Sequence, residues 1–237
     1  MIRVAALGDC HVGADTSGRL QRSIGSVNDA ADVLLVAGDL TKCGTEAEAR
    51  LLVDELRDVE VPICAVLGNH DHHGDEVDGI ALVLKEAGVR LLEGDTAEFE
   101  FGDTTVGIAG TKGFGGGFAG ASGSEFGEPE MKAFIRHTKC IATSLRVALT
   151  SLTTDFRVAL LHYAPIEATL DGERCEIYPF LGSYLLAEAI DTAGADLVLH
   201  GHAHGGQERG ATPGGTPVRN VAQPVIGAAY RVYTLGT

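Results

Sequence analysis

The feature that most constrains the fold of this 237-residue chain is a series of short apolar runs separated by helix-length segments. The runs are rich in Val and Leu, and they cover Ile2–Leu7, Val33–Ala37, 63–67, 158–161 and 197–199. Helix-like segments at 19–30 and Glu46–Leu56 separate the first three runs. Buried strands that alternate with helices of this length predict right-handed βαβ units and a mostly parallel sheet.

A second group of strand candidates has a different character. Residues 98–101 and 104–108 flank Gly102-Asp103, which predicts a hairpin, and residues 218–221 and 230–235 are further candidates. We therefore expect two sheets packed face to face with helices outside them. The length fits one domain over residues 1–237, with a core of substantial size.

The segment from Gly113 to Gly127 interrupts this pattern. It contains seven glycines, which predicts a stretch without regular structure that either covers a site as a lid or is disordered. Pro129 then begins a long helix, where its missing N–H costs nothing. The apolar residues expected on the buried face of this helix are Met131, Phe134, Ile141, Leu145, Ala148 and Leu152. A helix over 183–193 is expected further along the chain.

Charge and cysteine content restrict the compartment and the partners. The chain carries 18 basic and 33 acidic residues, a net charge of −15, so its surface repels duplex nucleic acid and anionic membranes. No apolar stretch approaches the ~20 residues of a membrane span, and the N-terminus lacks the pattern of a secretory signal. The five cysteines form no CxxC pair, which favours reduced thiols in a cytoplasmic protein. A homo-oligomer is possible.

Nearly every predicted buried strand ends in residue types that bind metal ions. These endings are Gly8-Asp9-Cys10-His11, Gly38-Asp39, Gly68-Asn69-His70-Asp71, His162 and His200-Gly201-His202-Ala203-His204. Because ligands bind where the carboxyl ends of strands meet in an open α/β sheet, these side chains should converge on one edge. Each fragment alone is weak evidence, since a single strand-end histidine usually has a structural role. The five together predict a metal centre.

The spacing of the endings suggests how the side chains point. In extended backbone, residues i and i+2 face the same way, so Asp9 and His11 should approach one ion while Cys10 faces away. His202 and His204 should repeat this arrangement around Ala203. A donor set of carboxylate, imidazole and amide groups without thiolate suits Mn, Fe, Zn or Co rather than Ca.

These five endings resemble the motifs of the calcineurin-like metallophosphoesterases over residues 9 to 204. The resemblance implies an α/β fold: a four-layer α/β/β/α sandwich of two mixed β-sheets flanked by helices, with a two-metal site. By motif, one ion would be held by Asp9, His11, Asp39 and His204, and the second by Asp39, Asn69, His162 and His202. Asp39 would bridge the ions, and His70 would lie near the leaving group, so that Asn69 and His70 also contact the substrate.

Two cations at such a site would lower the pKa of a bridging water and clamp the phosphoryl oxygens while the resulting hydroxide attacks. His70 could then donate a proton to the departing oxygen. Weaker candidates are Lys112 and Arg174 for phosphate contact and residues 163–181 for the pocket walls. His72 and His73 are expected on a surface loop, and His200 is expected to pack internally.

The resulting hypothesis is a dinuclear metal-dependent hydrolase of small phosphomonoesters or phosphodiesters. One alternative is a non-catalytic interaction module on the same fold, which would have degenerate ligands, whereas here the ligand set is complete. A DNA nuclease is a further alternative that would need a basic groove or an added DNA-binding domain. The net charge of −15 argues against it.

Overall fold

The computed structural model describes residues 1–236, in which two large β-sheets lie face to face between layers of helices. The strands are β1 (Ile2–Leu7), β2 (Val33–Ala37), β3 (Ile63–Val66), β4 (Arg90–Leu91), β5 (Asp95–Phe101), β6 (Thr104–Thr111), β7 (Gly117–Phe118), β8 (Ala121–Ser122), β9 (Phe156–Leu161), β10 (Leu197–His200), β11 (Arg209–Ala211), β12 (Pro217–Asn220) and β13 (Arg231–Leu235). The helices are α1 (Arg19–Ile24), α2 (Val27–Ala30), α3 (Glu46–Leu56), α4 (Val77–Glu86), α5 (Pro129–Ser151), α6 (Tyr178–Leu181), α7 (Tyr184–Ala193) and α8 (Gln223–Ile226). Single 3₁₀ turns occupy His70–His72, Glu167–Leu170 and Cys175–Ile177.

Both large sheets have parallel interiors, and each has at least one antiparallel edge strand. The first has the order β13-β1-β2-β3-β4, in which only the β1–β13 pair is antiparallel. The second has the order β11-β12-β10-β9-β6-β5, in which β11 and β5 are the antiparallel edge strands. β7 and β8 form a separate two-stranded hairpin.

Three apolar layers hold the four structural layers together. Alternation along β1 divides its residues, so that Val4 and Ala6 face the second sheet while Ala5 and Leu7 pack under α1 to α4. On the outer side of the second sheet, Ala159 and other residues pack against α5 and α7. The expected four-layer α/β/β/α sandwich of two mixed sheets is confirmed, and it follows from strands that are apolar on both faces.

Three local predictions were wrong. The helix expected over 19–30 is two helices, because the chain breaks at Gly25 and Ser26. The glycine segment does contain regular structure, the β7–β8 hairpin, whose turn includes Gly120 at φ 83°. On α5 only part of the prediction was wrong. Met131 is 44% exposed in the first turn of the helix, whereas Ile141, Leu145, Ala148 and Leu152 are buried as expected.

No helix within residues 1–236 is long and apolar enough to cross a membrane. All five cysteines are free, and Cys64 is the fully buried one, in the layer between the sheets.

Candidate metal centre

The predicted ligand residues follow the carboxyl ends of β1, β2 and β3 in the first sheet and of β9 and β10 in the second. Backbone hydrogen bonds join these endings across the two sheets. Gly8 N donates to Val221 O (2.9 Å), Val221 N donates to His200 O (2.7 Å), and Gly201 N donates to His162 O (3.1 Å). The strand ends of both sheets therefore form one edge, and the polar endings gather there as expected.

The first group of candidate ligands consists of Asp9, His11 and His204, which present ligand atoms within 4.8 Å of one another. Oδ1 of Asp9 lies 2.9 Å from Nε2 of His204, and the backbone N–H of His202 donates to the same carboxylate. Burial raises the pKa of Asp9 to about 6, although the hydrogen bond from His204 acts in the opposite direction. That hydrogen bond raises the pKa of His204.

The second group consists of Asp39, His162 and His202, again within 4.8 Å. Burial lowers the pKa of His162 to about 3, so this imidazole is neutral near pH 7. Its Nδ1–H donates to Ala37 O (2.9 Å), which leaves the lone pair on Nε2. That lone pair faces Oδ1 of Asn69 at 2.9 Å and Oδ1 of Asp39 at 3.4 Å. With the Asn69 amide oxygen turned toward this lone pair, three acceptors meet at one point, which is the arrangement that a cation stabilises.

Asp39 lies between the two groups. Its Oδ1 faces His162 and accepts from the backbone N–H of His70 (2.9 Å). Its Oδ2 faces Nε2 of His11 at 3.7 Å and Nε2 of His70 at 4.0 Å. The two oxygens of one buried carboxylate thus point toward different histidines.

A further observation indicates that the donor set fits a metal ion. Within residues 1–236, the one buried side-chain N or O atom without a hydrogen-bond partner is Nδ1 of His11. Buried polar atoms of this kind are rare unless an ion or water satisfies them. Together with the unprotonated acceptors around His162, this makes a cation site of N and O donors, a set typical of first-row transition metals.

The backbone at these residues is left-handed rather than extended, which corrects the prediction from spacing. The φ angles are 60° at Asp9, 44° at His11, 49° at Asp39 and 69° at His202. The loops after β1 and β2 pair with each other instead, because Asp9 N donates to Gly38 O and His11 N to Asp39 O, each at 3.0 Å. Cys10 still packs toward the apolar core, and Ala203 is fully buried. Left-handed non-glycine residues are uncommon, and they concentrate at functional sites.

Asp71 is a residue to which the sequence analysis gave no role. It is fully buried and accepts hydrogen bonds from the backbone N–H groups of Leu40 (3.1 Å), Thr41 (2.8 Å) and Gly68 (2.8 Å) and from the Thr41 hydroxyl (2.6 Å). These donors lie in the loops that carry Asp39 and Asn69. Its place as the last residue of the third predicted strand ending, Gly68-Asn69-His70-Asp71, was the only available signal.

His70 lies at the margin of the centre and is partly exposed. Its Nδ1–H donates to the carbonyl of Lys42 (2.8 Å), and its ring lies edge-on to that of His11, with centroids 4.5 Å apart. His11, Asp39 and His70 also present ligand atoms within 4.8 Å. The geometry therefore places His70 beside the centre and is compatible with either a proton donor or a ligand.

The two candidate phosphate-binding cations differ in position. The ammonium of Lys112 lies over the rings of Phe114 and Tyr163, 5.2 and 5.6 Å from their centroids. Burial lowers the pKa of Lys112, and the charges of Glu93 and Asp39 oppose this. Arg174 is instead exposed, with Nε 3.8 Å from Glu176, and no described contact joins it to the centre.

The remaining weaker candidates lie largely where they were expected. His200 is fully buried, with Nδ1 2.8 Å from Gly201 O and Nε2 2.9 Å from the Thr169 hydroxyl, which confirms its internal role. His72 and His73 are exposed. Two residues of the 163–181 segment border the centre, since the Tyr163 ring lies 4.4 Å from that of His202 and Phe180 O lies 3.3 Å from Nε2 of His202.

The first half of the glycine segment is docked rather than loose. Gly116 N donates to Pro179 O (2.7 Å), and Gly117 N donates to Gly182 O (2.9 Å). The Thr138 hydroxyl of α5 donates to Gly115 O (2.6 Å). Residues 119–128 are exposed.

Comparison with known proteins adds a family and a fold. The pattern that defines the calcineurin-like phosphoesterases matches residues 2–206. No curated protein sequence matches the chain. Among solved structures, phosphopantetheinyl hydrolase from Mycobacterium tuberculosis has a TM-score of 0.74 at 17% identity over 98% of both chains. A putative 5′-nucleotidase from Staphylococcus aureus has a TM-score of 0.57 at 19% identity, over 92% of this chain and 48% of its own. TT1561 of Thermus thermophilus has a TM-score of 0.56 at 16% identity, over 92% of this chain and 88% of its own.

Proposed function

Since this chain belongs to the calcineurin-like phosphoesterase family and is a phosphoesterase, we propose that it hydrolyses small phosphoesters at a centre of two metal ions. In this proposal the first ion is held by Asp9, His11, Asp39 and His204. The second is held by Asp39, Asn69, His162 and His202. Mn, Fe, Zn and Co are the ions that this donor set favours.

The observation that carries the proposal is the position of Asp39. One of its oxygens lies 3.4 Å from Nε2 of His162, and the other lies 3.7 Å from Nε2 of His11. A carboxylate can bridge two cations because it has two oxygens. Among the described residues, Asp39 is the one carboxylate shared by two of the candidate ligand groups.

When bound, the two cations would supply an acidified water and positive charge against the phosphoryl oxygens. The protein supplies position and protons. Asn69 and His70 flank the place where the ester would lie. In its protonated form His70 keeps its Nδ1–H on the Lys42 carbonyl, so its Nε2–H is free to be donated to the leaving oxygen.

Of the two candidate cations, Lys112 is the one we assign to phosphate contact. Its ammonium is held over two aromatic rings and has no carboxylate within ion-pair distance among the residues described. A cation held in this way can interact with an anionic phosphoryl group without first breaking an ion pair. Arg174 is left out of the site because it is exposed beside Glu176.

Small esters are the favoured substrate class. A net charge of −15 disfavours a polyanionic duplex, and the complete ligand set disfavours the non-catalytic module. The names of two structural relatives refer to phosphate-bearing groups, a phosphopantetheinyl group and a 5′-nucleotide. The proposal covers both monoesters and diesters.

A hydrolysis screen tests this function. Metal-free protein would be supplied with Mn²⁺ and assayed on p-nitrophenyl phosphate, bis-p-nitrophenyl phosphate, cyclic nucleotides and a long DNA duplex. We expect Mn-dependent hydrolysis of at least one small ester, abolished by a chelator, and little cleavage of the duplex at physiological salt. Efficient duplex cleavage with the small esters untouched would overturn the proposal.

A further inference from the structure

A cleft of about 640 Å³ opens beside the Asp9 and His11 side of the candidate centre. Its walls come from segments that are far apart in the sequence: the loop after β1, helix α1, the loop after β2, and helix α8 with the residues that follow it. The lining residues used below are Val12, Arg19, Leu20, Lys42, Ala228 and Ala229.

The cleft begins where His70 is held. Lys42 lines the cleft, and its carbonyl accepts the hydrogen bond from Nδ1 of His70 (2.8 Å). His11 also lines the cleft, and its ring is the one that contacts His70, with centroids 4.5 Å apart. A group leaving from an ester beside His70 therefore has this cleft next to it.

The chemistry of the cleft is set by apolar surface and one free cation. Ala228 and Ala229 supply accessible apolar surface, whereas Val12 and Leu20 line the cleft but are almost fully buried. The polar side chains are mostly engaged: the Ser23 hydroxyl donates to Leu20 O (2.8 Å), and the Lys42 ammonium pairs with Asp15 (2.5 Å). Within residues 1–236, the guanidinium of Arg19 forms no ion pair or hydrogen bond.

We propose that this cleft binds the leaving alcohol of the substrate, and that this alcohol has an apolar carbon body ending in an anionic group that meets Arg19. The inference rests on the proposed function, because it takes His70 to mark the leaving-group side. A volume of about 640 Å³ is within the range of about 300–1,000 Å³ that small-molecule sites occupy. Arg19 supplies positive charge on a strongly acidic protein, so the cleft should favour a ligand with an anionic group.

The test compares three aryl phosphates with the same reacting group: phenyl phosphate, 4-butylphenyl phosphate and 4-(4-carboxybutyl)phenyl phosphate. For the Mn-loaded protein we expect kcat/KM to rise with the apolar tail and by a further factor of about ten with the carboxylate. Arg19→Ala should reduce the carboxylate ester to the value of the butyl ester. Ala228→Phe, which fills the cleft, should remove the advantage of both tails. Arg22→Ala, on the same helix but outside the cleft, is the matched control and should leave all the ratios unchanged.

Equilibrium binding of the product 4-(4-carboxybutyl)phenol, measured by calorimetry, separates this inference from the proposed function. Binding that Arg19→Ala weakens, in a protein that hydrolyses neither these monoesters nor the diesters of the hydrolysis screen, would support the cleft and overturn the function. Hydrolysis at equal kcat/KM for all three esters, with no binding of the phenol, would support the function and overturn the cleft. Tail effects that neither Arg19→Ala nor Ala228→Phe changes would overturn the assignment to this cleft.

Discussion

Two glycines allow the backbone to lie directly against the carboxylates of the candidate centre. A Cβ on Gly68 would lie 2.1 Å from Oδ1 of Asp39, and one on Gly201 would lie 2.3 Å from Oδ2 of Asp9. Real Cβ atoms do not approach other atoms so closely, so glycine is required here for space. Neither residue has a positive φ, so an added methyl group would act through its close contacts. Besides the carboxylates, these contacts include Asp39 N, 2.2 Å from a Cβ on Gly68, and Ala37 O, 2.9 Å from a Cβ on Gly201.

Gly201→Ala should displace Asp9 while the fold is kept. We expect binding of Mn²⁺ at the Asp9 group to weaken by roughly tenfold or more, in the range seen when groups that orient ligands are altered. Calorimetric titration of the metal-free variant measures this. Gly25→Ala is the control, since the nearest atom to its Cβ would be 3.9 Å away. Unchanged Mn²⁺ affinity in Gly201→Ala would show that Asp9 is not a ligand.

His70→Ala tests the assignment of this residue as the proton donor. The variant should keep both metal ions and lose about 10²- to 10⁴-fold in kcat, the usual contribution of a positioned acid. The loss should be smaller for p-nitrophenyl esters, whose leaving group needs little protonation. Metal content and kcat would be measured side by side on good and poor leaving groups. Loss of a metal ion would make His70 a ligand, and an equal loss of rate for all leaving groups would exclude the acid role.

Between elements, a single buried carboxylate ties the loops that follow β2 and β3. Asp71 accepts hydrogen bonds from three backbone N–H groups and one hydroxyl of these loops. Because the same loops carry Asp39 and Asn69, Asp71 fixes the separation of two proposed ligands. Its role is to position residues, since the structure shows no contact of Asp71 with the ligand groups themselves.

Asp71→Asn should lower the free energy of unfolding by about 1–3 kcal/mol. The amide NH₂ would replace one carboxylate oxygen and would face N–H or O–H groups that now donate hydrogen bonds to that oxygen. Urea denaturation of the metal-free protein measures this. Asp75→Asn is the matched control: Asp75 lies on the same loop, is exposed, and has a φ of 57° that asparagine tolerates. Equal stability of the two variants would contradict the account of Asp71.

The sequence predicted the strands and the gathering of the site residues because both depend on local patterns. Apolar runs mark strands that are buried on both faces, and strand ends in such sheets meet at one edge. The left-handed backbone at Asp9 and His11 could not be predicted, since it depends on the pairing of two loops about 30 residues apart. The cleft beside Lys42 was also missed, because helices α1 and α8 form it only in the folded chain.

At the scale of the whole molecule, the centre keeps several histidines neutral inside an acidic protein. Burial lowers the pKa of His162 and of His202 to about 3, and that of His200 to about 4. In the unfolded chain the same side chains titrate near pH ~6.5. At pH values between these limits the unfolded chain binds more protons, so the free energy of unfolding of the metal-free protein falls as the pH decreases from about 6.5 toward 4.

His200→Gln removes the one of these three titrating histidines that is not a proposed metal ligand. We expect the slope of unfolding free energy against pH, between about 6.5 and 4, to decrease by on the order of 1 kcal/mol per pH unit relative to the parent protein. Urea titrations of the metal-free proteins at several pH values give this slope. His73→Gln, an exposed histidine, should leave the slope unchanged. The same slope in the parent protein and His200→Gln would show that His200 is not held neutral by the fold.

The metal content of the purified protein and of Asp39→Asn tests the central claim most directly. Elemental analysis after dialysis against Mn²⁺ should find two ions per chain in the parent protein and one or none in Asp39→Asn, since the bridging carboxylate is lost. Asp78→Asn, which removes an exposed carboxylate on α4, should keep two. Two tightly bound ions in Asp39→Asn, or a single ion in the parent protein, would contradict a centre bridged by Asp39.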